Sequence, residues 1–380
     1  MAATGTAPIQ VLLDPISANA ATDELLAAML RANPRVSDLL FSPGRKLQVQ
    51  INDALVTVER PGLSVLTADD TRRIASDLIG ANKPAIGMLR EQGYCDISYA
   101  LPGLARFRVN VFIQRGSCAV VMRVIPTAVP DFKSLGAPEQ LREVAALHDG
   151  LVLIAGPRGS GKSSTLAALL DCINETQTCH IITIEDPIEF LHNHKRATIH
   201  QRELYSDTPS VAFAMRAALR QVPNVIAVGE LKDCETMQLA LEAAETGHLV
   251  LSTMNTLNAQ KTVERFVGAF PAAEQPAIRE RMALMLRYVI SQRLLPRENE
   301  GERIAAFEIV KAGPGLLGDL LQSHSGGSQN PAEPQAAARV SALDAELERL
   351  VASGTVHAET ALAQAVDADQ LKKKLAAARK

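Results

Sequence analysis

At 380 residues, with 47% hydrophobic and 21% charged side chains, the chain is long enough for two or three packed domains. A formal charge of −3, no tryptophan and 3% aromatic residues argue against a protein whose main business is gripping nucleic acid, which needs basic patches and stacking platforms. Five scattered cysteines without C-x-x-C spacing, no signal-peptide pattern and no run of eighteen apolar residues set the expectation of a cytoplasmic protein with reduced thiols, no zinc module and no transmembrane segment.

In chain order, Thr22 can cap a helix through Leu25, Leu26, Met29 and Leu30, which Asn33-Pro34 should stop. Residues 47–51 alternate apolar and polar, Asn52-Asp53 reads as a turn, and 105–111 alternate again before the strand-like 119–125. These elements predict a small α+β domain over 1–127. Pro126 and Pro130 mark a linker.

From Gly150 the pattern changes. Gly156-Pro157-Arg158-Gly159-Ser160-Gly161-Lys162-Ser163 reads G-x-x-x-x-G-K-S, after the apolar run 151–155 and before a helical stripe of Leu166, Leu169, Leu170 and Ile173. Glycines let the backbone curl so that its N–H groups meet phosphate oxygens, and the following helix turns its positive end to the same anion. This loop, extended to Ser164, is expected to hold ATP, with Lys162 on the β- and γ-phosphates and Ser163 on Mg²⁺. Further buried strands are expected at 181–184, 225–228 and 249–252, with helices beginning near Lys162, Ser210 and Asp233. Strands interleaved with helices imply a parallel sheet, whose ligands sit at the carboxyl ends of its strands. There the polar pairs Glu185-Asp186, Gly229-Glu230 and Ser252-Thr253 should converge on the loop.

The motifs then become specific. Ile184-Glu185-Asp186-Pro187-Ile188-Glu189-Phe190, Val228-Gly229-Glu230 and Ala244-Glu245-Thr246-Gly247-His248-Leu249-Val250, in this order behind the phosphate loop, resemble the aspartate box, Walker B and histidine box of the secretion ATPase superfamily. Ala105-Arg106-Phe107-Arg108-Val109-Asn110 and Gln201-Arg202-Glu203 extend the resemblance to the type IV pilus retraction ATPases, the PilT/PilU family, over roughly residues 15–320. The resemblance implies a RecA-like P-loop ATPase domain with a parallel sheet at 128–322, behind a PAS-like α+β domain. It also implies roles: Glu185 polarises the attacking water, Glu230 works near the metal with Ser163, and His248 senses the γ-phosphate. Arg106, Arg108 and Arg123 are implied to reach an ATP site as fingers, a task suited to a planar, permanently charged fork. The family further implies a six-membered ring, as a homo-hexamer or mixed with a paralogous motor, hinged at residues 127–134. Its work goes to an inner-membrane platform protein at the pilus base.

Departures accompany the match. The second histidine of the box is Asn255, which cannot carry a proton near pH 7. Val222-Pro223-Asn224 stands where Asp-Pro-Asp is common, so loss of a charge near the site is expected. The stretch 315–321 lacks the arginine of the principal motor's C-terminal signature, which together with the rest shifts the expectation toward a PilU-like or divergent paralogue. Segment 323–338 reads as a flexible linker, and Val340, Leu343, Leu347, Leu350 and Val351 begin a helical hairpin over 339–380 that packs on its own domain or a neighbour. The reading is a motor that drives or assists retraction. Its alternatives are a weakly hydrolysing accessory subunit and an extension or secretion assembly ATPase.

Overall fold

The computed structural model describes residues 11–12, 22–51, 54–59, 65–101, 103–125, 128–298, 303–312 and 342–378. The turn at Asn52-Asp53, Thr127 of the 127–134 hinge segment, the stretch 315–321, the linker 323–338 and Val340 therefore lie outside the described residues. The chain falls into two compact units: one runs to Ala128 and includes Pro187–Leu191 and Tyr205–Asp207, and the other takes the remainder from Val129.

In the first unit seven strands, β1 (Val11–Leu12), β2 (Val36–Phe41), β3 (Leu47–Ile51), β4 (Ala54–Glu59), β5 (Tyr94–Leu101), β6 (Ala105–Gln114) and β7 (Ser117–Ile125), form one sheet in the order β1-β4-β3-β2-β7-β6-β5. Only the β1–β4 pair is parallel. Phe107, Val109 and Val111 alternate inward along β6 and pack in one core with helices α1 (Thr22–Arg31), α2 (Ala68–Ile79) and α3 (Lys83–Gln92). Helix α1 stops two residues before Asn33. A reciprocal capping box of Thr67 and Asp70 starts α2, and the two hydrogen bonds it makes hold the Asp70 carboxyl below its ordinary range.

The second unit carries seven strands, β8 (Gly150–Ala155), β9 (His180–Glu185), β10 (Thr198–Glu203), β11 (Val225–Val228), β12 (Leu249–Met254), β13 (Leu286–Pro296) and β14 (Arg303–Lys311), in the order β10-β9-β11-β12-β8-β13-β14. All are parallel except β14, which returns antiparallel to β13. Every residue of β8, β11 and β12 is buried, because helices cover both faces. Helices α4 (Leu141–Ala145) and α5 (Lys162–Thr176) share a core with one face; α6 (Val211–Ala218), α7 (Cys234–Glu245), α8 (Ala259–Gly268) and α9 (Gln275–Met285) share one with the other. Ser210, Asp233 and Asn258 cap α6, α7 and α8, each accepting a backbone N–H three residues on. This is the α/β, RecA-like architecture expected from the sequence.

The tail differs from a hairpin. Three helices, α10 (Ala342–Ala352), α11 (Ala358–Gln364) and α12 (Ala368–Ala378), bury Leu343, Leu347, Leu350, Ala361, Leu371 and Leu375 against Leu295 and Ala306 of the β13–β14 pair. No helix among the described residues is long and apolar enough to cross a membrane.

Candidate active site

Parallel register brings the carboxyl ends of β8, β9, β11 and β12 to one edge of the second sheet, and backbone and hydroxyl bonds lace those ends together. Gly156 N–H donates to Met254 O at 3.3 Å, Gly229 N–H to Ile184 O at 2.8 Å and Leu231 N–H to Thr253 O at 3.1 Å. The buried hydroxyls of Ser252 and Thr253 each donate at 2.7 Å, to Val228 O and Gly229 O. These two hydroxyls fix the turn that presents Glu230. The sequence marks them only as polar strand-end residues.

The phosphate loop closes on itself. Lys162, 9% exposed, donates from Nζ to Gly156 O and Pro157 O, both at 2.9 Å. Ser160 Oγ is buried with no hydrogen-bond partner among the described residues. Gly161, at φ 89°, is the N-cap of the fifteen-residue α5 and offers it no side-chain acceptor, so the first-turn N–H groups and the positive end of the helix remain directed at the loop. A Cβ on Gly156 would stand 2.3 Å from Ser160 Oγ and 2.7 Å from Gln292 O. Only glycine fits there. A cradle of backbone N–H groups with an orphaned hydroxyl and a movable ammonium fits a polyphosphate. Ser163 and Ser164, half-buried, open α5 behind it, whereas Arg158 and Gly159 are exposed.

Glu185 ends β9. Its Oε1 accepts Thr183 Oγ1 at 2.6 Å and Gln201 Nε2 at 2.9 Å, and Gln201 in turn accepts His192 N–H at 2.9 Å. Glu230 follows β11, where Oε1 accepts Asn255 Nδ2 and Oε2 lies 3.9 Å from Lys232 Nζ; Lys232 also reaches Asp186 at 3.4 Å. The carboxylate in the Walker B position is thus held by a neutral amide from the end of β12 and flanked by a lysine that the motif reading missed.

His248 is not brought to this cluster. It precedes β12, its N–H and O bond to Ala243 O and Gly150 N, and its Nδ1 lies 2.9 Å from Ala243 O. Gly150 begins β8. The six-residue β12 separates His248 from the loop by about 17 Å at the rise of a strand, so it does not sense a γ-phosphate held by its own loop. Asn255, at the other end of β12, occupies the edge where the site lies. Val222 and Asn224 likewise precede β11: Asn224 Oδ1 accepts His180 N–H at 2.9 Å. Their side chains take no charge away from the site, contrary to the expectation from sequence.

The three arginines belong to the first unit. Arg108 and Arg123 face each other across β6 and β7 on the exposed face, and Arg123 Nε donates to the buried Asp38 at 2.9 Å; Arg106, half-buried, lies two pairs along, opposite Ile125. Like charges opposite one another on a sheet repel, a cost that an anion between them would offset.

Known proteins resemble the chain in sequence and in fold. Residues 95–365 match the family model for the type II/IV secretion system protein. The type IV pilus retraction ATPase PilT of Pseudomonas aeruginosa is 39% identical over 338 residues, 89% of this chain and 96% of that one, and the type IV pilus ATPase PilU of the same organism is 34% identical over 88% of this chain and 87% of that one. The crystal structure of the pilus retraction motor PilT with bound ADP superposes with a TM-score of 0.82 at 35% identity, covering 92% of this chain and 98% of that one. The chain belongs to the type II/IV secretion system protein family and, within it, is a P-loop ATPase of the PilT/PilU group. The identities do not single out PilU.

Proposed function

We infer that this chain is a cytoplasmic mechanochemical ATPase that powers or assists type IV pilus retraction. The observation that carries the reading is the meeting of the phosphate loop, Glu185 and the Glu230–Asn255 pair at one sheet edge, where ligands of parallel sheets bind. Residues Gly156 to Ser164 hold the ATP phosphates, and Lys162 exchanges its two loop carbonyls for phosphate oxygens. Ser163 and Glu230 would hold Mg²⁺, which would supply charge neutralisation for the phosphates. Glu185, oriented by Thr183 and Gln201, positions the attacking water; phosphoryl transfer needs mostly positioning and charge stabilisation. Arg106, Arg108 and Arg123 reach a triphosphate as fingers, Arg108 and Arg123 relieving their mutual repulsion on it.

The domains divide near 127–128, and the chain works in a hexameric ring, alone or with a paralogous motor, turning a membrane-embedded platform at the pilus base. Support for this is the 96% coverage of PilT and the likeness to the ADP-bound motor. Purified chain should bind and hydrolyse ATP with Mg²⁺, and Lys162→Ala should abolish both; hydrolysis that survived it would remove the mechanism.

A second reading is a weakly hydrolysing accessory subunit, favoured by Asn255 on Glu230, because an amide donates but cannot exchange a proton near neutral pH. Asn255→His distinguishes the two. A large gain in turnover supports the accessory reading, and no gain over robust parent hydrolysis excludes it.

A further inference from the structure

Gln292 and Arg293 stand side by side on β13, the strand paired with β8 beneath the phosphate loop: Ser291 registers with Ala155, the last residue of β8. Successive strand residues point to opposite faces. On the α5 face Gln292, 1% exposed, accepts at Oε1 the hydroxyl of the buried Thr165 at 2.7 Å. Its Nε2 lies so close to Gly161 that a Cβ there would come within 2.8 Å, and its carbonyl oxygen faces Gly156 in the same way at 2.7 Å. Gly156 and Gly161, two of the loop's three glycines, therefore rest on one residue.

Arg293 serves the opposite face. Though 5% exposed, it donates from Nη2 to Leu257 O and from Nη1 to Gln292 O at 3.1 Å. Leu257 lies two residues after Asn255, the amide that holds Glu230. Burial pushes the guanidinium below its ordinary range, with the buried Glu308 opposing that shift. A buried amide and a buried guanidinium are costly at positions that a strand fills readily with apolar side chains, unless the groups they hold matter.

We propose that Gln292 and Arg293 are positioning residues for hydrolysis, Gln292 fixing the curvature of the phosphate loop through Thr165 and the two glycines, and Arg293 locking the segment after β12 so that Asn255 keeps the Glu230 carboxylate in place. The proposal rests on the reading that this loop holds Mg²⁺-ATP.

The test compares Gln292→Leu, Thr165→Val, their double variant, Arg293→Met and Arg293→Lys with the parent chain, measuring binding of a fluorescent ATP analogue and steady-state hydrolysis per folded chain. Gln292→Leu should raise KM for ATP about tenfold, the scale of one buried hydrogen bond. Thr165→Val should do the same, and the double variant should be no worse than either, because one shared bond is lost. Arg293→Met should lower kcat about tenfold with KM little changed, since it disturbs the carboxylate rather than the loop, and Arg293→Lys should recover part of the loss. Lower melting temperatures with KM and kcat per folded chain unchanged would mean that both residues merely support the fold and would overturn the proposal, as would additive losses in the Thr165–Gln292 pair. A parent chain that binds no nucleotide would overturn the reading of the site itself.

Discussion

Val222 sits at φ 52° with 85% of its surface exposed, a β-branched residue in the left-handed region where Asn and Asp are tolerated and Val is not. The sequence comparison flags this position for the wrong reason. It reads as a lost charge beside the nucleotide, whereas the residue lies at the amino-terminal end of β11, one sheet length from the loop, and the loss is one of backbone fit. Val222→Asn should therefore raise stability by about 1 kcal/mol, from relieved strain, with hydrolysis unchanged; chemical denaturation with parallel ATPase assays checks both parts. His248 fails for the same cause: motif membership says that a residue is near the box in sequence, but only parallel register says which end of its strand it occupies. Asn255 could have been singled out instead, since it closes the β12 segment at the carboxyl edge.

Among elements, β8, β9, β11 and β12 were legible because each carries a mostly apolar run ended by polar residues, whereas β10, Thr198-Ile199-His200-Gln201-Arg202-Glu203, has no such run. Helix α5 begins at Lys162 as expected, and α6 and α7 begin at Val211 and Cys234, one residue after Ser210 and Asp233. Strand β13 was not legible: Arg287, Ser291, Gln292 and Arg293 interrupt its apolar pattern, and the last three are nonetheless buried. The sequence likewise offered only a hairpin at the tail, because the stripe on α10 is clear, α11 is short, and both α11 and α12 are rich in alanine. What joins them is Asp344, 3% exposed, whose two oxygens accept Val366 N–H at 2.8 Å and Asp367 N–H at 3.0 Å. Asp344→Ala leaves both amides unsatisfied, costing about 1–3 kcal/mol. Hydrogen exchange should then quicken across 358–378 while β8 to β12 stay protected.

For the whole molecule, the chemistry and the covering helices lie on different parts of one sheet. The phosphate loop and the two glutamates share its carboxyl edge, β13 braces that edge from one side, and α10 to α12 pack on the β13–β14 pair. A parallel sheet can gather residues nearly 130 positions apart into one site, since each strand contributes only its end. The first unit contributes a sheet face on which Arg108 and Arg123 stand in register, with Arg123 paired to Asp38. The proposed mechanism requires Glu185 to act on water rather than on binding. Single-turnover hydrolysis and ATP affinity of Glu185→Gln test it most directly: affinity should stay within about twofold of the parent while the hydrolytic step slows about a hundredfold or more, as for loss of a positioned base. Hydrolysis at the parent rate, or loss of binding in step with loss of turnover, would contradict it.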